Sequence, residues 1–358
     1  MTFPMKRGLR LRKTVAAIAA GLALGTAALS SASAQEKTVS FPVDKKTIGY
    51  VDLIASGAMQ RRFYSYFTAG TDALGWKVIF QDAQGDPTKA NTEAINLINQ
   101  GIDALVVSCA DSAPMRPALK LAKSKGIPAV QAGCPMTDEK AWDASFPLDD
   151  AAVGHALGEY VGKQIGNNAQ VGILGDTVIL AGKIRTKAVK EGMAGAKAVI
   201  VGDQSVNLTD IVGNSRKIVS TYLTANPDLK AILAVYDFFA APAGNTIKSA
   251  GRADKVSVYS FFADAVNVPY MKTEGSPLKA VADGPVEQVG LLAVDQLLGH
   301  FKAEKPFDSS AAQRLEVPVE IFTLENLPPA GEDFLTPYPV KKYIDQYKEK
   351  WAKEYGGN

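Results

Sequence analysis

Along this chain of 358 residues, polar and aromatic side chains recur just past the ends of short apolar runs. In the first half these are Asp52, Ser56, Met59 and Gln60 after IGYV, Ser108 and Asp111 beside ALVV, and Cys134 after AVQAG. In the second half they are Lys183, Arg185 and Lys187, then Asn207 and Asp210, then Tyr236, Asp237 and Phe238, then Phe262 and Asp264, and last Asp283. Carboxylates, amides and guanidinium groups offer planar sets of acceptors or donors that match neighbouring hydroxyls, and aromatic rings cover C–H faces. A hydrogen bond to a charged group is worth roughly 1.5–3 kcal/mol, and losing one partner away from water costs more. Such groups can hold a small polar molecule through several hydrogen bonds at once.

Catalytic and metal patterns are missing. The chain has no Gly-x-Gly-x-x-Gly after its first apolar run, no Gly-x-x-x-x-Gly-Lys loop and no Gly-x-Ser-x-Gly elbow. Its two histidines, His155 and His300, lie near no expected strand end, which argues against a Ser/His or Cys/His pair. Two cysteines with two histidines likewise argue against structural zinc. No cofactor and no metal is expected.

The elements that must carry these residues begin with Thr47 to Asp86. Ile48 to Ile54 is a short apolar strand, broken at Ser56-Gly57. Phe63, Tyr66, Phe67, Gly70 and Leu74 then fall at helical spacing, Gly75 stops the helix, and Val78 to Phe80 is a second strand. Strand, helix, strand at this length is a parallel crossover, whose ligands bind at the strands' carboxyl edge. The pattern repeats. Asp86-Pro87 starts a helix, Ala104 to Ser108 and Ala129 to Ala132 are strands, and Asp111 to Lys125 is a helix in which Pro114 and Pro117 fit only the first turn or a kink. Ala151 to Ile165 restarts it. Strands at Val171 to Leu174, Val199 to Val201, Ile232 to Val235, Val256 to Tyr259 and Leu278 to Ala282 follow, with helices between. The fold class is therefore α/β, with two similar doubly wound parallel-sheet lobes in tandem. Val289 to Leu298 is a late apolar helix, Glu316 to Phe322 a late strand, and Tyr343, Tyr347, Trp351 and Tyr355 a four-residue stripe of a docked terminal helix. Asp82, Asp86 and Asp149 are expected in turns and caps.

A basic start (Lys6, Arg7, Arg10, Arg12, Lys13), the apolar run Val15 to Leu29 and Ala32-Ser33-Ala34 form a secretory signal, cleaved after Ala34. The apolar run is short of the roughly 20 residues that span a bilayer. Removing its five bases from the 39 of the whole chain leaves 34 against 37 acids, so no nucleic-acid footprint remains. Cys109 and Cys134 end consecutive strands, and in an oxidising compartment they are a candidate disulfide, the alternative being two free small side chains.

Taken together, the signal, IGYVDLIASGAMQRRFYSYFTAGTDALGW, NLINQGIDALVVSCADS, ALKLAKSKGIPAV, LTANPDLKAILAVYD and AVDQLLG resemble the ribose-binding-protein-like, type I periplasmic binding proteins of sugar ABC importers. The resemblance covers nearly the whole chain after the signal. It implies two lobes joined by a three-segment hinge, with the ligand cleft between them. Its crossings would fall near Asp150, Ala282 to Gly284 and Lys305 to Ser309. The lobes would then be 46–150 with 284–306 and 151–283 with 307–325, followed by a tail over 326–358. By the same resemblance the ligand contacts would be Asp52, Met59, Gln60, Cys134, Arg185, Lys187, Asn207, Tyr236, Asp237, Phe238, Phe262 and Asp283. Several depart from the family's pattern. Gly57, Met59 and Gln60 stand for an asparagine and paired aromatics, Gly133-Cys134 for an Asp-Arg pair, Lys187 near Arg185 for an arginine, Tyr236 for an asparagine, Phe262 for an aspartate and Asp283 for a glutamine. The usual ribose grip is thus largely absent. The expected role is a periplasmic, monomeric receptor passing a small sugar or polyol to an inner-membrane permease, and also informing a chemoreceptor. The sequence leaves two other uses of the fold standing: a receptor for a signalling molecule or small aromatic or cyclic solute, and an exported enzyme.

Overall fold

The computed structural model describes residues 39–315, 319–327 and 340–356. The signal expected over residues 1–34, its cleavage point and the start of the late strand at 316–318 lie outside the described residues, as does 328–339 of the tail.

The first lobe is built on β1 (Thr47–Asp52), α1 (Ala58–Ala73), β2 (Lys77–Asp82), α2 (Pro87–Asn99), β3 (Ala104–Ser108), α3 (Ser112–Ser124), β4 (Ala129–Gly133) and β5 (Ala144–Pro147). Asp86 caps α2 through the Thr88 and Lys89 amides, as its place before Pro87 requires. Pro117 lies inside α3. The sheet is parallel in the order β2-β1-β3-β4-β5. Strands β1 and β3 are neighbours, yet the chain visits β2 between them. That reversal of direction leaves a crevice at their carboxyl ends. Register aligns Asp52 with Asp82 on one side and with Ser108 on the other.

The second lobe comprises α4 (Asp150–Ile165), β6 (Gln170–Gly175), α5 (Leu180–Gly192), β7 (Val199–Ser205), α6 (Ile211–Ala225), β8 (Leu229–Ala234), α7 (Asp237–Ser249), β9 (Ser257–Phe261), α8 (Asn267–Lys272) and β10 (Leu278–Asp283). Its order is β11-β10-β9-β8-β6-β7, where β11 is Glu320–Phe322. The same reversal lies between β6 and β8. Strand β11 pairs antiparallel with β10, Asp283 opposite Glu320. Among the described strand pairs it is the one antiparallel pairing, against the expected parallel sheets.

Between these strands α9 (Val286–Ala303) returns to the first lobe and lies on α1. The contact is close because Gly290 has no side chain: a Cβ there would stand 2.7 Å from the Phe63 carbonyl oxygen. The terminal helix α10 (Val340–Tyr355) packs on α9 and α1, with Trp351 fully buried and donating to Asp295 at 2.8 Å. Among the described residues the chain passes from the first lobe to the second between β5 and α4, and back again between β10 and α9. Asp308 still donates its amide to Gln296 of α9, and Ser309 accepts from the Ser145 amide of β5.

Candidate functional site

The carboxyl ends of both sheets meet at the lobe boundary, and their polar side chains are almost all buried. On the first lobe, Asp52 ends β1 and accepts the Ile54 amide at 2.9 Å. Burial, aided by the Asp82 carboxylate, pushes it up to about 7 against the pull of the Ile54 and Ser108 hydrogen bonds. Cys109 and Cys134 are joined in a disulfide, with Cα atoms 4.8 Å apart, tying the end of β3 to the end of β4. Cys109 (φ 61°) and Gly133 (φ 92°) are both left-handed, which turns the two strand ends toward each other. Met59 is buried in the core at the start of α1, and Gln60 approaches the Cys109 sulfur at 3.9 Å.

On the second lobe the centre is Arg185. Its guanidinium pairs with Asp150 at 2.7 Å and donates to the Val235 carbonyl at 3.3 Å. The rings of Phe262, Phe261 and Tyr236 surround it at 4.8, 5.1 and 5.2 Å. Tyr236 donates its hydroxyl to Asp176 at 2.9 Å, and burial raises that hydroxyl well above its ordinary range. Gly182 permits this contact, since a Cβ there would lie 2.7 Å from the Tyr236 oxygen. Phe238 stacks on Tyr236 with centroids 5.0 Å apart and remains half-buried, offering an aromatic face. Phe262 is held left-handed (φ 64°), a strained posture for a bulky residue, by its amide bond to the Ala282 carbonyl and by burial of its ring. Asp237 opens α7, and burial raises both it and its neighbour Asp264.

Three expected contacts are corrected. Lys187 is 77% exposed on α5 and pairs with Glu191, because two residues past Arg185 a helix turns about 200° to its other face. Asn207 is exposed, and its side chain closes a local turn with Thr209. Asp283 is already saturated. It takes two bonds from Arg62 at 2.8 and 3.1 Å and two amides, Ala263 and Gly284, each at 2.8 Å, which leaves no free lone pair for a ligand.

Arg62 is the residue that the strand-end argument passed over. It is fully buried, reaches Asp283 across the boundary, and also bonds Glu287 of α9 at 2.6 Å. A signal was present: Arg62 lies four residues before Tyr66 and eight before Gly70, on the apolar face of α1, where a charge needs a partner. Glu287 is likewise an acid at the start of a helix with apolar residues all round. Beside the first passage, a recess of about 260 Å³ is lined by Pro135, Ser145, Asp149, Asp150, Ile184 and Ser309, from both lobes.

Residues 55–305 match the family model described as periplasmic binding protein domain. The chain is 30% identical over 233 residues to the D-ribose/D-allose-binding protein of Pseudomonas aeruginosa, covering 63% of this chain and 72% of that one. It is 24% identical to the ribose import binding protein RbsB of Escherichia coli, covering 82% and 94%. An ABC transporter solute-binding protein from Agrobacterium vitis, solved with bound allitol, superposes with a TM-score of 0.68 at 18% identity, covering 86% of this chain and all of that one. These relatives are named as binding proteins, not enzymes. With a family match over most of its length and two parallel-sheet lobes meeting at their strand ends, this chain belongs to the periplasmic binding protein family.

Proposed function

We propose that this chain is the periplasmic solute receptor of an ABC importer, which encloses one sugar or polyol between its lobes and delivers it unchanged to the inner-membrane permease. The observation that carries this reading is the boundary itself. Carboxylates from both sheets converge there with an arginine and the stacked aromatic rings of the second lobe, and among the described residues no nucleophile–base pair lies with them. Such a hinge responds to a ligand that touches both lobes only when they are together, and the permease reads that shape. The names of the relatives, which specify ribose and allose, support a sugar. On this reading the signal is removed after Ala34, the receptor acts as a monomer and can also inform a chemoreceptor, and its contacts are Asp52, Gln60, Arg185, Tyr236, Asp237 and Phe238, with Met59, Cys134 and Phe262 as walls. Titration calorimetry and thermal shift across pentoses, hexoses, alditols and cyclitols test it. One solute should bind with one-to-one stoichiometry and be recovered intact. Turnover of that solute, or no response to any member or to its amino derivative, overturns the reading.

A further inference from the structure

The six buried acids of the second lobe's strand ends and its junction with α9 are not equally provided for. Asp150 faces Arg185, Asp283 and Glu287 share Arg62, and Asp176 takes the Tyr236 hydroxyl and the Val178 amide at 2.7 Å. Among the described residues Asp237 and Asp264 have neither a paired cation nor a hydroxyl donor, and Asp237 takes only backbone amides, its own and that of Phe238. They follow the neighbouring strands β8 and β9, and each is buried within hydrogen-bonding reach of the other. The Arg185 and Arg62 charges act on them only from a distance, each guanidinium being engaged elsewhere. Asp264 accepts the Val266 and Asn267 amides on Oδ1, both at 2.9 Å, while its buried Oδ2 has no donor. One helical turn on, Asn267 commits its Nδ2 to the Phe261 and Phe262 carbonyls and leaves its buried Oδ1 without a donor as well.

Two adjacent buried carboxylates need a positive charge or a shared proton between them. The place is also short of hydrogen-bond donors and not of acceptors. A neutral hydroxyl brings one donor and no charge. A primary ammonium brings three donors and the charge. A metal ion fits less well, since among the described residues no three His, Cys, Asp or Glu side chains gather as ligands. We propose that Asp237 and Asp264 form an ammonium subsite, so that the solute is an amino-substituted sugar or cyclitol. This deepens the receptor reading and rests on it.

The test uses matched probes on the intact protein at neutral pH: glucosamine with glucose, galactosamine with galactose, scyllo-inosamine with scyllo-inositol, and 1-amino-1-deoxyribitol with ribitol. N-acetylated amines serve as uncharged controls. In at least one pair the amine should bind at least tenfold more tightly than its neutral parent, and acetylation should abolish that preference. Asp264→Asn should bring the amine-to-neutral ratio to within about threefold, a ratio that loss of folded protein does not move. Asp237→Asn gives the same readout should the first variant fold poorly, and the acetylated control needs no variant. Parity within every pair, no response to any amine, or an unchanged ratio in both variants overturns the subsite. Tight binding of a neutral sugar without amine preference leaves the receptor reading standing, whereas silence toward every sugar and amine overturns both.

Discussion

Replacing Arg62 by methionine removes a buried cation and leaves Asp283 and Glu287 facing each other without it. Arg62 makes three charged hydrogen bonds, at 2.6, 2.8 and 3.1 Å, from a fully buried position. Taking away one member of a buried ion pair costs about 3–5 kcal/mol, because the remaining charge stays desolvated and uncompensated. Methionine keeps the length and apolar stem, so cavity formation adds little. With about 2.1 cal/mol/K of unfolding entropy per residue, roughly 300 ordered residues give about 0.6 kcal/mol/K, and the loss becomes a fall of roughly 5–8 °C in Tm. Melting and urea unfolding of the ligand-free protein, followed by circular dichroism, measure it. A companion variant separates charge from packing. Arg62→Met with Asp283→Asn and Glu287→Gln removes the whole charged group and should recover at least half of the loss. Recovery stays incomplete, since an amide at 283 has one acceptor oxygen, whereas the Ala263 and Gly284 amides bond separate oxygens of Asp283. A single variant within about 1 kcal/mol of the parent, or a triple variant worse than the single one, would refute the reasoning.

Replacing Cys109 and Cys134 together by serine opens a loop of 25 residues and should cost about 3 kcal/mol in the loop-entropy account, read as a lower urea midpoint that reducing agent no longer shifts. Trp351→Ala removes the fully buried ring that fastens α10 to Asp295 and should cost about 3–5 kcal/mol by the same assay. Asp52, lifted by burial to about 7, binds its proton more tightly in the folded chain than in the unfolded one, and Asp150, Asp237 and Asp264 are shifted in the same direction. Their contribution is present below about pH 4 and lost as pH rises toward 7, so ligand-free stability should decline across that window and Asp52→Asn should flatten part of the decline. A flat or rising profile from pH 4 to 7 contradicts it.

Much of the fold could be read from local pattern. Asp86 before Pro87 marked a helix start, Ile48 to Val51 and Val106 to Val107 marked buried strands, and the second set of strands and helices announced a second lobe. Strand ends fall out of the same pattern, so Tyr236, Asp237, Phe238 and Phe262 could be named without coordinates. The pattern stops at the side chain's direction. Arg185 and Lys187 are two residues apart, yet one is enclosed by three aromatic rings and the other stands in solvent. The helical phase of α5 decides this, and the phase depends on which face of α5 meets α4 and the sheet.

Hydrophobic periodicity, turn residues and strand length act between near neighbours, so they determined the order of elements, the two lobes and the edge at which the strands end. Only the tertiary structure decided which charges neutralise one another there. Arg62 lies 221 residues before Asp283 and 225 before Glu287, and no local rule links them. Their pairing follows from the return of α9 to the first lobe, where the lack of a side chain at Gly290 lets it press against α1. Asp237 and Asp264 are left as the pair without a cation for the same reason: in a low-dielectric boundary each charge is settled by whatever the fold brings beside it, however far away along the chain.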